Sequence, residues 1–287
     1  MKLDKATNIL IIGLGVIGGG YAEALTKEGY NVSCITKEQK DIDYAISHSI
    51  IKYGTTKLEP ELIKKSQLVI FAVYPKVFIK WIKENQNLFS SGTLLTDVTG
   101  VKTSVVDKVQ SILRADLEYI PAHPMAGRES SGVEFADSSV FKGANYIVTP
   151  TEKNSQEAID VCMELGRILG FSKISQLTPQ EHDKMIAFLS QLTHCIAVSL
   201  MTCNNSPNLE KYTGDSFRDL TRIAKINDKM WSELFLMNKN ELLAEMNGFI
   251  SQFNHFKTLI ENDEQEELRK IMQLATKRRM LFDKSKK

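Results

Sequence analysis

The chain has 287 residues, 43% of them apolar and 25% charged, and its 36 basic and 35 acidic side chains leave a net charge of +1. A chain this apolar with so little net charge is not disordered, and it has no global field to attract nucleic acid or an anionic membrane. The length suits two domains, and the lack of an uninterrupted apolar run of eighteen or more residues leaves no membrane-spanning helix expected.

Asn8–Ile12 (NILII) is a β-branched run that predicts a buried parallel strand. Gly13-Leu14-Gly15-Val16-Ile17-Gly18 follows directly, then a helical stretch over Tyr21–Glu28 closed by Gly29, then a second strand over Asn31–Ile35. Inside such a βαβ unit a G-x-G-x-x-G run has physical meaning. Gly13 permits the sharp turn, Gly15 lets a pyrophosphate approach the backbone, and Gly18 lets the helix pack close to its strand. The helix N-terminus then faces the phosphates with free N–H groups and a positive dipole end, and Val16 and Ile17 within the turn are read with the three glycines, Thr36 and Lys37 as cofactor-binding. Lys2 and Lys5 ahead of the apolar run Ile9–Ile17 loosely resemble a signal peptide, but the glycines favour a strand entering a tight turn.

Further strands are predicted at Leu68–Val73, Thr93–Leu95, Glu118–Ile120 and Asn145–Val148, with a helical stretch from about Val77 to Asn85. Alternating strands and helices over residues 1–150 predict a Rossmann-type, doubly wound α/β sheet. Ligands of such sheets bind beyond the carboxyl ends of the strands, where Tyr74-Pro75, Asp97–Lys102 and Ala122–Gly127 are expected as loops. After Pro150 the strand pattern stops, and an all-helical domain is expected over residues 151–287. Thr178-Pro179-Gln180-Glu181 reads as a capping box with proline at the first helical position. Helical patterns follow over Met185–Ile196, Phe217–Ala224 and Met230–Asn247, and a last helix starts near Asn262 with acids first and bases last.

At the end of the second strand, dinucleotide-binding folds that prefer NAD carry an acid for the ribose hydroxyls. Thr36 stands there, followed by Lys37 and then Lys40. The cofactor is read as NAD or NADP, with a lean to NADP, since no acid repels a 2′-phosphate and the lysines attract one. Asp41 or Asp43 folding back to the ribose is the alternative. The four cysteines, Cys34, Cys162, Cys195 and Cys203, form no CxxC pair and no metal-ligand spacing, so reduced thiols, no metal and a cytoplasmic protein are expected.

Four further motifs stand in order. They are His123-Pro124-Met125-Ala126-Gly127-Arg128-Glu129, Asp97–Lys102 (DVTGVK), Glu181–His194 (EHDKMIAFLSQLTH), and Phe217–Ala224 (FRDLTRIA) followed by Met230-Trp231. With these the chain resembles the prephenate/arogenate dehydrogenase family of tyrosine biosynthesis over nearly its whole length. The resemblance implies an NAD(P)-dependent oxidative decarboxylation of prephenate to 4-hydroxyphenylpyruvate. Arogenate as substrate, giving tyrosine directly, is the alternative, as is another two-domain hydroxyacid or imine oxidoreductase.

The same resemblance implies the site residues. His123, following a predicted strand and preceding a proline, is the hydrogen-bond acceptor for the C4 hydroxyl of the substrate. Arg222 holds a substrate carboxylate, a task suited to a planar guanidinium, and Arg218 pairs structurally with an acid such as Asp219 or Glu129. Glu129, Gln191, His194 and Thr99 are the remaining substrate-binding candidates. Two departures from the family pattern stand out: Gly100, where many members carry serine near the reacting hydroxyl, and Gln191, where histidine is common. Lys102 is read as approaching the cleft or as a solvated loop residue, Trp231 as packing, and His182 as structural. The helical half resembles the family's dimerisation domain, so a homodimer is expected, without nucleic acid or membrane. The chain ends soon after its last predicted helix, leaving no room for an appended regulatory domain. A dinucleotide sensor without catalysis would keep the glycine loop but would not need both His123 and Arg222.

Overall fold

The computed structural model describes residues 2–127 and 130–283. The chain enters as β1 (Asn8–Ile12), α1 (Val16–Lys27), β2 (Asn31–Ile35), α2 (Gln39–Ser47), β3 (Tyr53–Thr55), α3 (Pro60–Lys65), β4 (Leu68–Phe71), α4 (Pro75–Asn85), β5 (Leu94–Asp97), α5 (Thr103–Ile112) and β6 (Glu118–Tyr119). These strands form one parallel sheet in the order β3-β2-β1-β4-β5-β6. Because both faces are covered, alternate residues of one strand feed two cores. Ile9 and Ile11 pack with Tyr21 and Leu25, whereas Leu10 and Ile12 pack with Phe78, Ile82 and Val105. That two-sided burial is what a parallel sheet needs, and it explains why NILII shows no polar alternation.

The chain then departs from the expected single sheet. β7 (Ala122–Met125), β8 (Asn145–Val148) and β9 (Lys173–Gln176) form a separate three-stranded sheet, β7 antiparallel and β9 parallel to β8. His123 is therefore a strand residue paired with Ile147, not a loop residue as expected. Strands also continue past Pro150: α6 (Gln156–Ile168) leads into β9, and its Val161, Cys162 and Leu165 join the first core. The short strands β3 and β9 escaped the sequence pattern because three or four residues carry too little periodicity.

From Thr178 the chain is helical: α7 (Pro179–Ile186), a π-helical segment over Ala187–Leu192, α8 (Thr193–Thr202), α9 (Asp215–Thr221) with a 3₁₀ turn over Arg222–Ala224, and α10 (Asp228–Met237). The capping box is formed as read: Thr178 accepts from the Glu181 N–H, and the Glu181 carboxylate accepts from the Thr178 N–H at 2.8 Å. Pro179–Thr202 is one helical stretch with a window of mean hydropathy 1.5, long and apolar enough to cross a membrane by length and composition, although no uninterrupted apolar run marks it. It nonetheless buries His182, Asp183 and Gln191. α10 docks on the sheet: Leu234 enters the second core, and Glu233 accepts the Lys76 N–H in the first turn of α4 at 2.6 Å.

The chain divides into two compact units, Met1–Lys239 and Asn240–Lys287. The second comprises most of α11 (Lys239–Glu261) and α12 (Gln265–Met280), joined through Asp263 at a positive φ of 55°. The expected single pattern over Met230–Asn247 is thus two helices, broken at Asn238. Phe249, Ile250, Phe253 and Ile260 are exposed on α11.

Candidate active site

The glycine turn has the geometry its spacing implies. Gly13 has φ +97°, and a Cβ there would lie 2.5 Å from the Ala72 carbonyl oxygen just beyond β4. A Cβ on Gly18 would strike the Gly13 oxygen, whereas one on Gly15 would meet nothing within 4 Å. The turn is thus closed on its inner side and open at Gly15. Gly15 caps α1 without a side-chain hydrogen bond, so Val16 and Ile17 start the helix with its first amides uncapped by a side chain. An open glycine over uncapped N–H groups suits a pyrophosphate, and the residues present fit a dinucleotide. Gly19 and Gly20 were not singled out in the sequence. Each is a close-packing position, against Ala136 and Phe141 respectively. Thr36 follows β2, half-buried, its N–H bonded to the Thr55 carbonyl at 3.2 Å, and Lys37 beside it is exposed. Burial pushes the nearby Asp41 carboxyl up.

His123 heads a chain of three side chains. Its Nδ1 lies 2.8 Å from Nε2 of His182, and His182 Nδ1 lies 2.8 Å from Asp183 Oδ1. Both Asp183 oxygens accept backbone N–H groups, from Lys102 and Thr103, each at 2.8 Å, where α5 begins. Burial drives His123 well below the ordinary imidazole range, and a proton on His182, were it there, and the Lys102 ammonium would both act in the same direction. Burial also lowers His182, against the pull of Asp183. For Asp183 burial pushes upward, but the hydrogen bond from His182 and the two backbone donors outweigh it and hold the carboxyl low. Two neutral imidazoles and one carboxylate result.

A second buried knot lies beneath His123. Lys102, fully buried, donates from Nζ to Asp97 Oδ2 at 2.7 Å and to the Ala122 carbonyl. Asp97 Oδ1 accepts the Tyr119 hydroxyl at 2.8 Å and the Ala122 N–H at 3.3 Å. The backbone immediately before His123 is held from both sides. Two expectations change here. Lys102 is neither a cleft nor a solvated residue. Thr99, read as a substrate contact, is buried with its hydroxyl bonded to Asp97 Oδ2 and the Val101 carbonyl. Gly100 does skirt the imidazole: a Cβ there would lie 3.7 Å from His123 Nε2.

On the helical side Gln191 is also used differently from the expectation. It is buried, donating to the Leu234 carbonyl at 3.2 Å and accepting from Asn238 at 2.8 Å, and Asn238 donates in turn to the Asp183 carbonyl at 2.9 Å. Its amide therefore clasps the π-helical segment to α10. His194, expected on the same face, instead stacks on Trp231 with centroids 3.7 Å apart, its Nδ1 2.9 Å from the Ser190 carbonyl. Arg222 is exposed on the 3₁₀ turn that packs against α8. Arg218 pairs with Asp215 at 2.6 Å, so its acid is Asp215 rather than Asp219. Glu129 lies outside the described residues. The Asp183 link and the burial of Lys102 were missed, and the only signal for the first was the adjacent pair His182-Asp183. Among the described residues no group of three or more His, Cys, Asp or Glu side chains is arranged to hold a metal ion, and all four cysteines are free.

Two family models match in succession: "Prephenate dehydrogenase, nucleotide-binding domain" over residues 21–170 and "Prephenate dehydrogenase, dimerization domain" over residues 178–274. The prephenate dehydrogenase of Bacillus subtilis is 29% identical over 93% of this chain and 74% of its own length. The cyclohexadienyl dehydrogenase of Zymomonas mobilis is 26% identical over 95% of each. The crystal structure of the Aquifex aeolicus prephenate dehydrogenase, in complex with hydroxyphenyl propionate and NAD+, superposes with a TM-score of 0.90 at 29% identity, over 99% of this chain and all of that one. A Rossmann-type sheet opening on a glycine turn, a helical region beyond it and the two successive matches make this chain a member of the prephenate dehydrogenase family of oxidoreductases.

Proposed function

We propose that the protein oxidises prephenate to 4-hydroxyphenylpyruvate and CO2 with NAD or NADP. The observation that carries this reading is the position of His123. It adjoins the Asp97 end of β5, the same carboxyl edge of the sheet at which β1 runs out into Gly13 and β4 into Ala72. A dinucleotide held at the Gly13–Gly18 turn and the start of α1 would supply a nicotinamide as acceptor for the C4 hydride. His123 Nε2 accepts the hydrogen bond of the C4 hydroxyl, which raises electron density at that carbon as hydride departs. The bond from C1 to its carboxylate breaks, its electron pair enters the ring, CO2 leaves, and the phenol product keeps its proton. Aromatisation drives the reaction, so the protein chiefly orients the reactants. Arg222 holds a substrate carboxylate, and His194, fixed on Trp231, lines the helical wall of the site.

Arogenate is the second reading. The Gln191 amide is spent on the α10 clasp, so it does not select the side-chain end of the substrate. Thr36, which stands where an acid would follow β2, and Lys37 beside it favour NADP. The dimerisation-domain match supports a homodimer, with the exposed Phe188, Leu189 and Met201 as apolar surface for it, and the reading implies a cytoplasmic enzyme. The test is a two-by-two assay of prephenate and arogenate against NAD and NADP. Turnover of prephenate, faster with NADP, is expected. Reduction of cofactor by 3-hydroxyacids but by neither cyclohexadienyl substrate would overturn it.

A further inference from the structure

We propose that His182 and Asp183 are positioning residues that lock His123 in the tautomer with hydrogen on Nδ1, leaving the Nε2 lone pair as the acceptor toward substrate. The catalytic consequence rests on the reading above; the tautomer itself does not. The direction follows from donor and acceptor accounting along one chain. Asp183 is gripped by two backbone N–H groups at the start of α5, where the partial positive charge of a helix lies. A carboxylate there only accepts. His182 Nδ1, 2.8 Å from it, must carry hydrogen. A neutral His182 then has only a lone pair on Nε2. His123 Nδ1, 2.8 Å away, must donate to it, and His123 Nε2 is left without hydrogen.

The opposite tautomer would set two lone pairs face to face between the imidazoles. A charged His182 would set two N–H groups toward each other or reverse His123, and burial opposes that charge. The chain is also rigid. It joins β7, α7 and the start of α5, and Asn238 fixes the Asp183 backbone. The freed lone pair lies on the Gly100 side, where the missing side chain leaves room beside Nε2.

The experiment uses the full chain with histidine nitrogens labelled, NADP+ or NAD+ bound, and imidazole nitrogen signals read by NMR, with His123 assigned by its loss in His123→Asn. The expected result is a protonated Nδ1 and an unprotonated Nε2; the reverse pattern overturns the proposal. His182→Leu removes the acceptor. It should lower kcat by about 10²–10⁴-fold with KM for substrate within about threefold, on the scale of a misplaced tautomer in other enzymes. His182→Gln, whose carbonyl oxygen accepts from Nδ1–H, should recover at least about tenfold. A kcat for His182→Leu within about threefold of the unmodified enzyme would sink the proposal. Should His182→Leu fail to fold, the spectrum of the unmodified protein still decides. Should neither prephenate nor arogenate be oxidised, the functional reading fails while the spectrum still reports the tautomer.

Discussion

Lys102 and Asp97 meet at 2.7 Å with both side chains sealed from solvent. The pair spans the loop after β5 and ties down both polar atoms of the Ala122 backbone, one residue before His123. Burial pulls the ammonium below its ordinary range while Asp97 pulls it back. Removing one partner of such a pair leaves an uncompensated charge, at a cost of about 3–5 kcal/mol. Lys102→Met should therefore lower the urea midpoint of unfolding by that equivalent. A midpoint unchanged within error would mean the pair contributes nothing.

His123→Asn should lower kcat by about two to four orders of magnitude, because the acceptor for the C4 hydroxyl is lost. Cofactor affinity, measured by titration of the protein fluorescence, should change little. Near-normal turnover would remove His123 from the chemistry.

The glycine turn separates two kinds of damage. A Cβ on Gly15 meets nothing in the protein, so Gly15→Ala should unfold at the temperature of the unmodified protein. It should lose at least about tenfold in cofactor affinity, since the methyl occupies the approach of the pyrophosphate. A Cβ on Gly18 strikes the Gly13 carbonyl, so Gly18→Ala should lower both Tm and affinity. Equal thermal shifts in the two variants would contradict this division.

The two histidines give acid a defined effect on stability. Burial holds His123 and His182 below the ordinary value of 6.5. As pH falls through 6.5 the unfolded chain takes up protons that the folded chain refuses, so stability falls with pH in that window. Tm should decline between about pH 7 and 5.5, and less steeply in His182→Gln, which lacks one of the two groups. Over the same range kcat should hold, since His123 stays neutral. A kcat falling with a midpoint at or above 6.5 would place the proton on His123 where burial is expected to exclude it.

Arg222→Ala should raise the KM for prephenate by about 10–100-fold while leaving that for cofactor within about twofold, as expected for a lost carboxylate contact. An unchanged substrate KM would take the residue out of the site.

Much of the local architecture is legible along the chain. The apolar run before Gly13, the glycine spacing and the Thr178–Glu181 capping box each depend on residues within a turn or two of one another, and each took the expected form. Short-range sterics, hydrogen bonding and the order of motifs therefore determine the Rossmann-type half, the helical half and the family. The partners of His123, of the Lys102 amide and of Gln191 were decided only by tertiary packing, whereas Thr99 bonds to Asp97 and Val101 two positions away and packing decided only its burial. His123 meets a side chain 59 positions away, and the Lys102 amide meets one 81 positions away. No periodicity or propensity carries that information. Thr99 and Gln191 look like cleft residues in the sequence because their polarity is visible there and their burial is not. Once they are buried, the cost of an unsatisfied polar group sends each to the nearest protein partner, Asp97 for one and Leu234 with Asn238 for the other.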